Sequence, residues 1–430
     1  MKFYSTRDRK RAQYSSLADA AFAGLAADGG LFMPERIPQV DMKHVEKLAE
    51  CSYAAMASYL AQQLFDDVPA DVVERVVHDA YDFPIVMNHL GDNFYNLELF
   101  HGPTFAFKDF GARFMGGMVR YLCGDEPLTI LTATSGDTGS AVAHGFYGVE
   151  GVRVVILYPE GKVSPLQEAQ MTSLGGNIYP LKVRGNFDDC QRMVKSIFRN
   201  ESLRRRLRVT SANSINLLRW IPQSFYYFYG YYAWRCVSGG DMPEVVVPSG
   251  NYGNLTAGML ARRMGLPLKG FVAASNANDV VPEFLKSEVY NPRPSVHTVA
   301  NAMDVGDPSN FERMMELCDG DVKALQREVR GFSCSDDDIE RAMADIYNKY
   351  GYLSDPHSAV GYLASKQLNV DGFYLSTAHA AKFGDVVERA IGRRPDLPEA
   401  MKRAMSQPLH FKMIDAKEPV LADLLLKMLS

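Results

Sequence analysis

The chain has 430 residues, 47% hydrophobic and 23% charged, which suffices for about two or three domains around a large core and is unlike a disordered segment. A formal net charge of -5 argues against a nucleic-acid partner, because phosphate backbones are held by an excess of Lys and Arg. No run of about 18 uninterrupted apolar residues occurs and the opening MKFYSTRDRKRAQYSS is charged throughout, so neither a membrane partner nor a signal peptide is expected and the location expected is cytoplasmic.

Residues 15 to 90 carry helical spacing in SLADAAFAGLAADGG, VEKLAECSYAAMASYLAQQLF and VPADVVERVVHDAY, with DGGLFMP (Asp28 to Pro34) as an irregular break. Residues 1–92 therefore read as a helical N-terminal subdomain. Asn93 to Phe100 reads as a strand that runs into HGPTFAFKDFG, and Asp109 to Leu122 has helical periodicity. Leu128 to Thr134, a glycine-rich turn, a helix in AVAHGFYG and Val152 to Pro159 then follow at the length that a parallel crossover needs. RRRLR at Arg204 to Arg208 reads as a solvated helix end. Further strands are expected at Ile178 to Val183, Glu244 to Ser249, Gly270 to Ser275 and Phe373 to Ala378. SFYYFYGYYAW (Ser224 to Trp234) lacks the interleaved positive charge of a base-stacking surface and reads as a buried aromatic helix. The fold class expected is α/β, with twisted, mostly parallel sheets and flanking helices. A smaller αβ domain is expected over 93–240 and a larger one over 241–430, with ligands beyond the carboxyl ends of the strands.

The six cysteines form no CxxC pair and the nine histidines no HExxH, so neither a disulfide framework nor a metal site is expected. Two loops invite an anion instead. TSGDTGSA (Thr134 to Ala141) ends a strand and opens a helix, so its main-chain N–H groups and helix dipole suit a carboxylate or phosphate; it serves equally as a tight turn capped by Ser135 or Asp137. Its DTGS matches aspartic proteases, but these need a second such carboxylate, and no second DTG or DSG exists. PSGNYGNLTAG (Pro248 to Gly258) repeats the arrangement without the GxxxxGK[ST] spacing of a nucleotide loop, and a plain turn stays open there too. SANSINLLR (Ser211 to Arg219) adds amides, hydroxyls and Arg219, a guanidinium suited to an oxyanion although an ordinary surface arginine is the default.

Lys108 stands among Phe105, Phe107 and Phe110. Burial there would depress an amine's pKa by up to about 3 to 5 units and supply the neutral nucleophile that attacks an aldehyde. Pyridoxal 5'-phosphate would use both the amine and a metal-free phosphate cradle.

HGPTFAFKDFG, TATSGDTGSA, VPSGNYGNLTAG, ANAMDVGDPSNFER (Ala300 to Arg313) and LSTAHAAKF (Leu375 to Phe383) together resemble the threonine synthases, pyridoxal-phosphate enzymes of the tryptophan-synthase-β fold type, in order along the whole chain. The resemblance implies two αβ domains with the cofactor between them. It makes Lys108 the Schiff-base lysine, gives Gly250, Asn251, Tyr252, Gly253 and Asn254 to the cofactor phosphate, and sets Thr377 at the pyridine nitrogen. Thr134, Ser135, Gly136 and Thr138 match the loop for the substrate's α-carboxylate, and Asn213, Ser214 and Arg219 the group for its phosphate. Asp137 stands where the wider fold type has Asn facing the cofactor's 3′-oxygen, and a carboxylate donates no hydrogen bond unless protonated. The implied reaction turns O-phosphohomoserine and water into threonine and phosphate. A phospho-lyase of the same fold, releasing 2-oxobutyrate and ammonia, and a non-catalytic phosphoamino-acid sensor are the alternatives; a monomer and a homodimer both fit the sequence.

Overall fold

Two parallel-rich sheets, one of six strands and one of five, carry the two compact units of the computed structural model, which describes residues 1–124 and 126–428. One unit holds Met1, Met33–Phe107 and Trp220–Asp396; the other holds Lys2–Phe32, Lys108–Arg219 and the chain from Leu397 onward. Each is entered more than once, whereas the sequence reading has three consecutive segments. The chain passes from one unit to the other at Phe107/Lys108 and again at Arg219/Trp220, inside motifs that a linear reading keeps whole.

The six-stranded sheet has the order Val329–Ser333, Gly270–Ser275, Glu244–Pro248, Gly372–Ser376, Phe94–Glu98, Val86–Gly91. All neighbours are parallel except the final hairpin. Central position explains composition: every residue of Glu244–Pro248 is buried, and EVVV is the near-continuous apolar run that a strand covered on both faces requires. The edge strand Val329–Ser333 buries only Val329 and Phe332, and Arg330 reaches Glu244 with Nε at 2.9 Å from Oε1. The aromatic helix Phe225–Ser238 is core as expected, with Phe225, Tyr226, Tyr227 and Phe228 fully buried. Its Gly230 lies where a Cβ would meet Leu97 at 2.8 Å, so this helix rests directly on the sheet.

The five-stranded sheet is parallel throughout, in the order Lys412–Asp415, Ile178–Arg184, Val152–Pro159, Leu128–Ala133, Val209–Thr210. Against it the helices Lys108–Leu122 and Asp137–Phe146 cross at glycines. A Cβ on Gly116 would stand 2.0 Å from the Gly145 carbonyl oxygen, and one on Gly111 would stand 2.3 Å from that of Arg219. The helix that begins with Lys108 is thereby seated on backbone, not on adjustable side chains. Gly116→Ala is expected to lower stability, because overpacking costs about 1 to 3 kcal/mol and backbone cannot yield, against roughly 1 kcal/mol of helix propensity gained. Urea unfolding checks it; an unchanged midpoint would mean that the two helices part freely.

Candidate active site

In the first unit the strand Glu244–Pro248 hands over to Ser249, the loop 250–252 and the helix Gly253–Arg263. Tyr252 takes φ 58° at the turn, and Gly250 is tight against the chain opposite, where a Cβ would stand 2.7 Å from Met303 Cα. The side chain of Asn254 is fully engaged inside the loop: it accepts from Ser249 Oγ and from the Leu255 N–H (3.0 Å) and donates to the Pro248 carbonyl (2.9 Å). Tyr227 Oη adds a bond to the Asn254 carbonyl at 2.7 Å. The first main-chain bond of the helix is Thr256 N–H to Tyr252, so the N–H groups of Gly253 and Asn254 precede any intrahelical partner. Asn254 thus contributes through its main chain, and its amide is the brace.

The stretch Ala300–Arg313 proves to be a second brace for this loop. The Asn251 carboxamide oxygen accepts from the Ser309 N–H at 2.7 Å, and its carbonyl accepts from Asn310 Nδ2 at 3.1 Å. Asn310 Oδ1 in turn takes Arg313 Nη1 at 2.7 Å, and the Arg313 guanidinium lies 4.7 Å over the Trp220 ring. Burial pushes the Arg313 pKa well down.

Thr377, only 5% exposed, is held from two sides. Its N–H donates to Ser358 Oγ (3.1 Å) and its carbonyl accepts from the Phe107 N–H (2.9 Å). Ser358 and His357 both depend on Asp355, the N-cap of the helix Pro356–Gln367. His357 Nε2 accepts from the Ala302 N–H at 3.1 Å, so its Nδ1 carries the hydrogen and donates to Asp355 at 2.8 Å. Among the described residues the Thr377 hydroxyl is the group this scaffold leaves unused. The bond from Phe107 to Thr377 fixes the end of the segment that precedes Lys108. Three more ties hold the same segment: the Ala106–Ala378 bridge, His379 N–H to the Phe105 carbonyl (3.1 Å) and Lys382 Nζ to the Thr104 carbonyl (2.7 Å). Phe105 is kept at φ 57°, a conformation that costs a non-glycine residue about 1 to 3 kcal/mol.

In the second unit Lys108 opens the helix Lys108–Leu122 and is half-buried, and Phe110 is fully buried; Phe105 and Phe107, which end the preceding segment of the first unit, are half-buried. Lys108 as a whole is therefore less buried than its aromatic setting suggested. Thr134 Oγ1 accepts from the N–H groups of Gly136 (2.9 Å) and Gly139 (2.8 Å), which makes it a brace for the loop that follows. Ser135 and Thr138 are half-buried; Gly136 takes φ 141°. Asp137, 5% exposed, accepts from Gln167 Nε2 at 2.9 Å.

Asn213 and Ser214 are half-buried, and Asn213 Oδ1 accepts from Thr132 Oγ1. Arg219 is only 2% exposed, and its Nη1 donates to the Ala212 carbonyl. Burial lowers its pKa to about 10, against the raising effect of the Asp109 carboxylate. It remains charged at neutral pH. The default alternative of an ordinary surface arginine does not hold: Arg219 is a buried cation. Asn216, overlooked in the sequence, organises this loop through bonds to the Ala21 (2.8 Å) and Ser211 (3.0 Å) carbonyls.

The loop at 249–254 suits a phosphate group. It offers convergent main-chain N–H groups at the positive end of an 11-residue helix, and among the described residues no cluster of His, Cys, Asp and Glu could hold a metal there. Among the described residues, no helix is long and apolar enough to cross a membrane.

Comparison with known proteins gives the same direction. Residues 2–81 match the family described as threonine synthase N terminus, 83–374 that described as pyridoxal-phosphate dependent enzyme, and 358–423 that described as threonine synthase, C-terminal. The chain is 43% identical over 413 residues to a threonine synthase of Serratia marcescens and 42% identical over 420 residues to that of Escherichia coli (strain K12), with 95% of each chain covered in both cases. Its structure matches the crystal structure of threonine synthase from Escherichia coli with a TM-score of 0.92 at 40% identity over 100% of both chains. It matches pyridoxal-phosphate-bound threonine synthase from Brucella melitensis with a TM-score of 0.92 at 34% identity, covering 99% of this chain and 98% of the other.

Proposed function

Since the chain belongs to the threonine synthases, a family of pyridoxal-phosphate-dependent enzymes, we propose that it acts in the cytoplasm on O-phosphohomoserine and water, releasing L-threonine and phosphate, with the residues assigned below. The braced loop at 249–254 is the observation that carries the reading, because two asparagine side chains are spent on holding a loop whose main-chain N–H groups at a helix N-terminus suit an anion.

When bound, pyridoxal phosphate supplies an electron sink for the charge left at the substrate's α-carbon. Lys108 would be the amine that takes the cofactor's aldehyde and the base for the α-proton. The main chain of Gly250, Asn251, Tyr252, Gly253 and Asn254 holds the cofactor's phosphate. Thr377 would meet the pyridine nitrogen, and a neutral hydroxyl would not keep that nitrogen protonated as a carboxylate would, which would moderate the sink. Ser135, Gly136 and Thr138 receive the α-carboxylate on a loop that Thr134 braces. Asn213, Ser214 and the cation Arg219 would take the substrate's phosphate, and Asp137 would face the cofactor's 3′-oxygen. Lys108 also serves the later proton transfers at Cβ and Cγ, and the released phosphate assists the attack of water at Cβ.

Incubation of the purified, cofactor-loaded protein with O-phosphohomoserine is expected to yield threonine and phosphate in equal amounts. Accumulation of 2-oxobutyrate and ammonia without threonine would make it a phospho-lyase instead. Binding without turnover would leave only the sensor reading.

A further inference from the structure

We propose that Asp355 is a positioning residue that holds two anchor points of pyridoxal phosphate, Thr377 and the loop at 250–254, at one fixed spacing; this rests on the reading that those two take the cofactor's ring nitrogen and its phosphate. Both anchors follow neighbouring strands of one sheet. Glu244–Pro248 and Gly372–Ser376 are parallel, with Tyr374 opposite Val246, so the two strands end side by side at the sheet spacing of about 5 Å. The helix Pro356–Gln367 lies across both: a Cβ on its Gly361 would stand 3.0 Å from Pro248 Cγ and 3.1 Å from Tyr374 Cδ2. Asp355 is the N-cap of that helix and is 1% exposed.

Four donors converge on its carboxylate. Oδ1 accepts from the His357 N–H (2.9 Å) and from His357 Nδ1 (2.8 Å), and Oδ2 accepts from the Ser358 N–H (3.3 Å) and from Ser358 Oγ. Each side chain carries the hold onward. Ser358 Oγ, its own hydrogen engaged by the carboxylate, accepts from the Thr377 N–H at 3.1 Å. His357 Nε2 accepts from the Ala302 N–H at 3.1 Å, and the Ala302 carbonyl oxygen and Met303 Cα are the atoms that would stand 3.1 Å and 2.7 Å from a Cβ on Gly250. One arm therefore ends at the threonine, the other at the backbone on which the phosphate loop is seated.

Capping the helix does not by itself call for this residue. An N-cap needs one acceptor oxygen, and Asn or Ser supplies it as well as Asp. Asparagine at 355 would keep a cap with its single oxygen, but its NH₂ would face either Ser358 or His357, so one arm loses its acceptor. With the NH₂ toward His357 the ring takes its other tautomer and sets an Nε2–H against the Ala302 N–H. Both arms together require two acceptor oxygens on one short side chain, which only aspartate supplies.

The test titrates the cofactor-free full chain with pyridoxal phosphate and follows visible absorption, each variant being kept well below its own cofactor-free thermal midpoint. Asp355→Asn is expected to raise the Kd for pyridoxal phosphate by about tenfold or more. Ser358→Ala cuts only the arm to Thr377 and is expected to shift the visible spectrum of the bound cofactor. His357→Leu cuts only the arm to Ala302 and is expected to raise the Kd by about threefold or more with the parent's spectrum. Should Asp355→Asn fail to fold, the two single-arm variants decide. The parent's Kd and spectrum in a folded Asp355→Asn, or in both single-arm variants, would reduce Asp355 to a helix cap and overturn the proposal. The parent's spectrum in Thr377→Val would instead overturn the reading that sets Thr377 at the ring nitrogen, whatever Asp355→Asn does.

Discussion

Lys108→Ala is expected to lower turnover by roughly a thousandfold or more, since it removes the attachment of the cofactor and the base for the α-proton together. The visible absorption of the loaded protein should vanish with it. Borohydride reduction of the parent protein should fix the cofactor in a peptide containing residue 108, and peptide mapping of the variant should find none. Folding should be little affected, because Lys108 is half-buried at the first position of its helix and the helix is seated through Gly111 and Gly116. Lys382 is the informative control. It is 3% exposed, near the same loop, and committed to the Thr104 carbonyl at 2.7 Å, so it should stay unlabelled. A reduced adduct at Lys382 would move the site.

What the sequence made legible were the groups offered to ligands: Lys108, the two glycine-rich loops and the threonine after the last parallel strand. The supports were harder to see. Asn310 holds Asn251 across 59 positions and Ser358 holds Thr377 across 19, and a lone polar residue with a distant partner leaves no periodic trace. Asp355 could have been noticed, since SDP before an apolar run is a helix-start signal, but nothing local says that the same carboxylate orders His357 and Ser358. The strands read correctly are the buried, Val-rich ones. Lys412–Asp415 is not legible because KMID is short and carries a charge at each end, and it becomes a strand only through its register with Leu181–Arg184, far back in the chain. Arg219 was read for its chemistry while its burial, which follows from Gly111 resting on its carbonyl, was not visible.

That burial makes Asp109 the second position of large expected effect. Asp109 is fully buried in the first turn of the Lys108 helix, and its charge acts on Arg219, whose guanidinium remains ionised at neutral pH. Removing one member of a buried, opposed pair leaves the other uncompensated, at a cost of about 3 to 5 kcal/mol. Asp109→Ala should accordingly unfold at markedly lower urea, and Asp109→Leu with Arg219→Met should regain much of the loss, because apolar groups of similar volume replace such pairs at little net cost. The double variant also separates the two roles of Arg219. If its cation serves the substrate's phosphate as well as the fold, the refolded double variant keeps its cofactor spectrum while KM for O-phosphohomoserine rises by roughly tenfold or more, the loss of one charge-assisted contact of about 1.5 to 3 kcal/mol. An unchanged KM in a stable double variant would confine Arg219 to holding the Ala212 carbonyl, and leave the substrate's phosphate to Asn213 and Ser214.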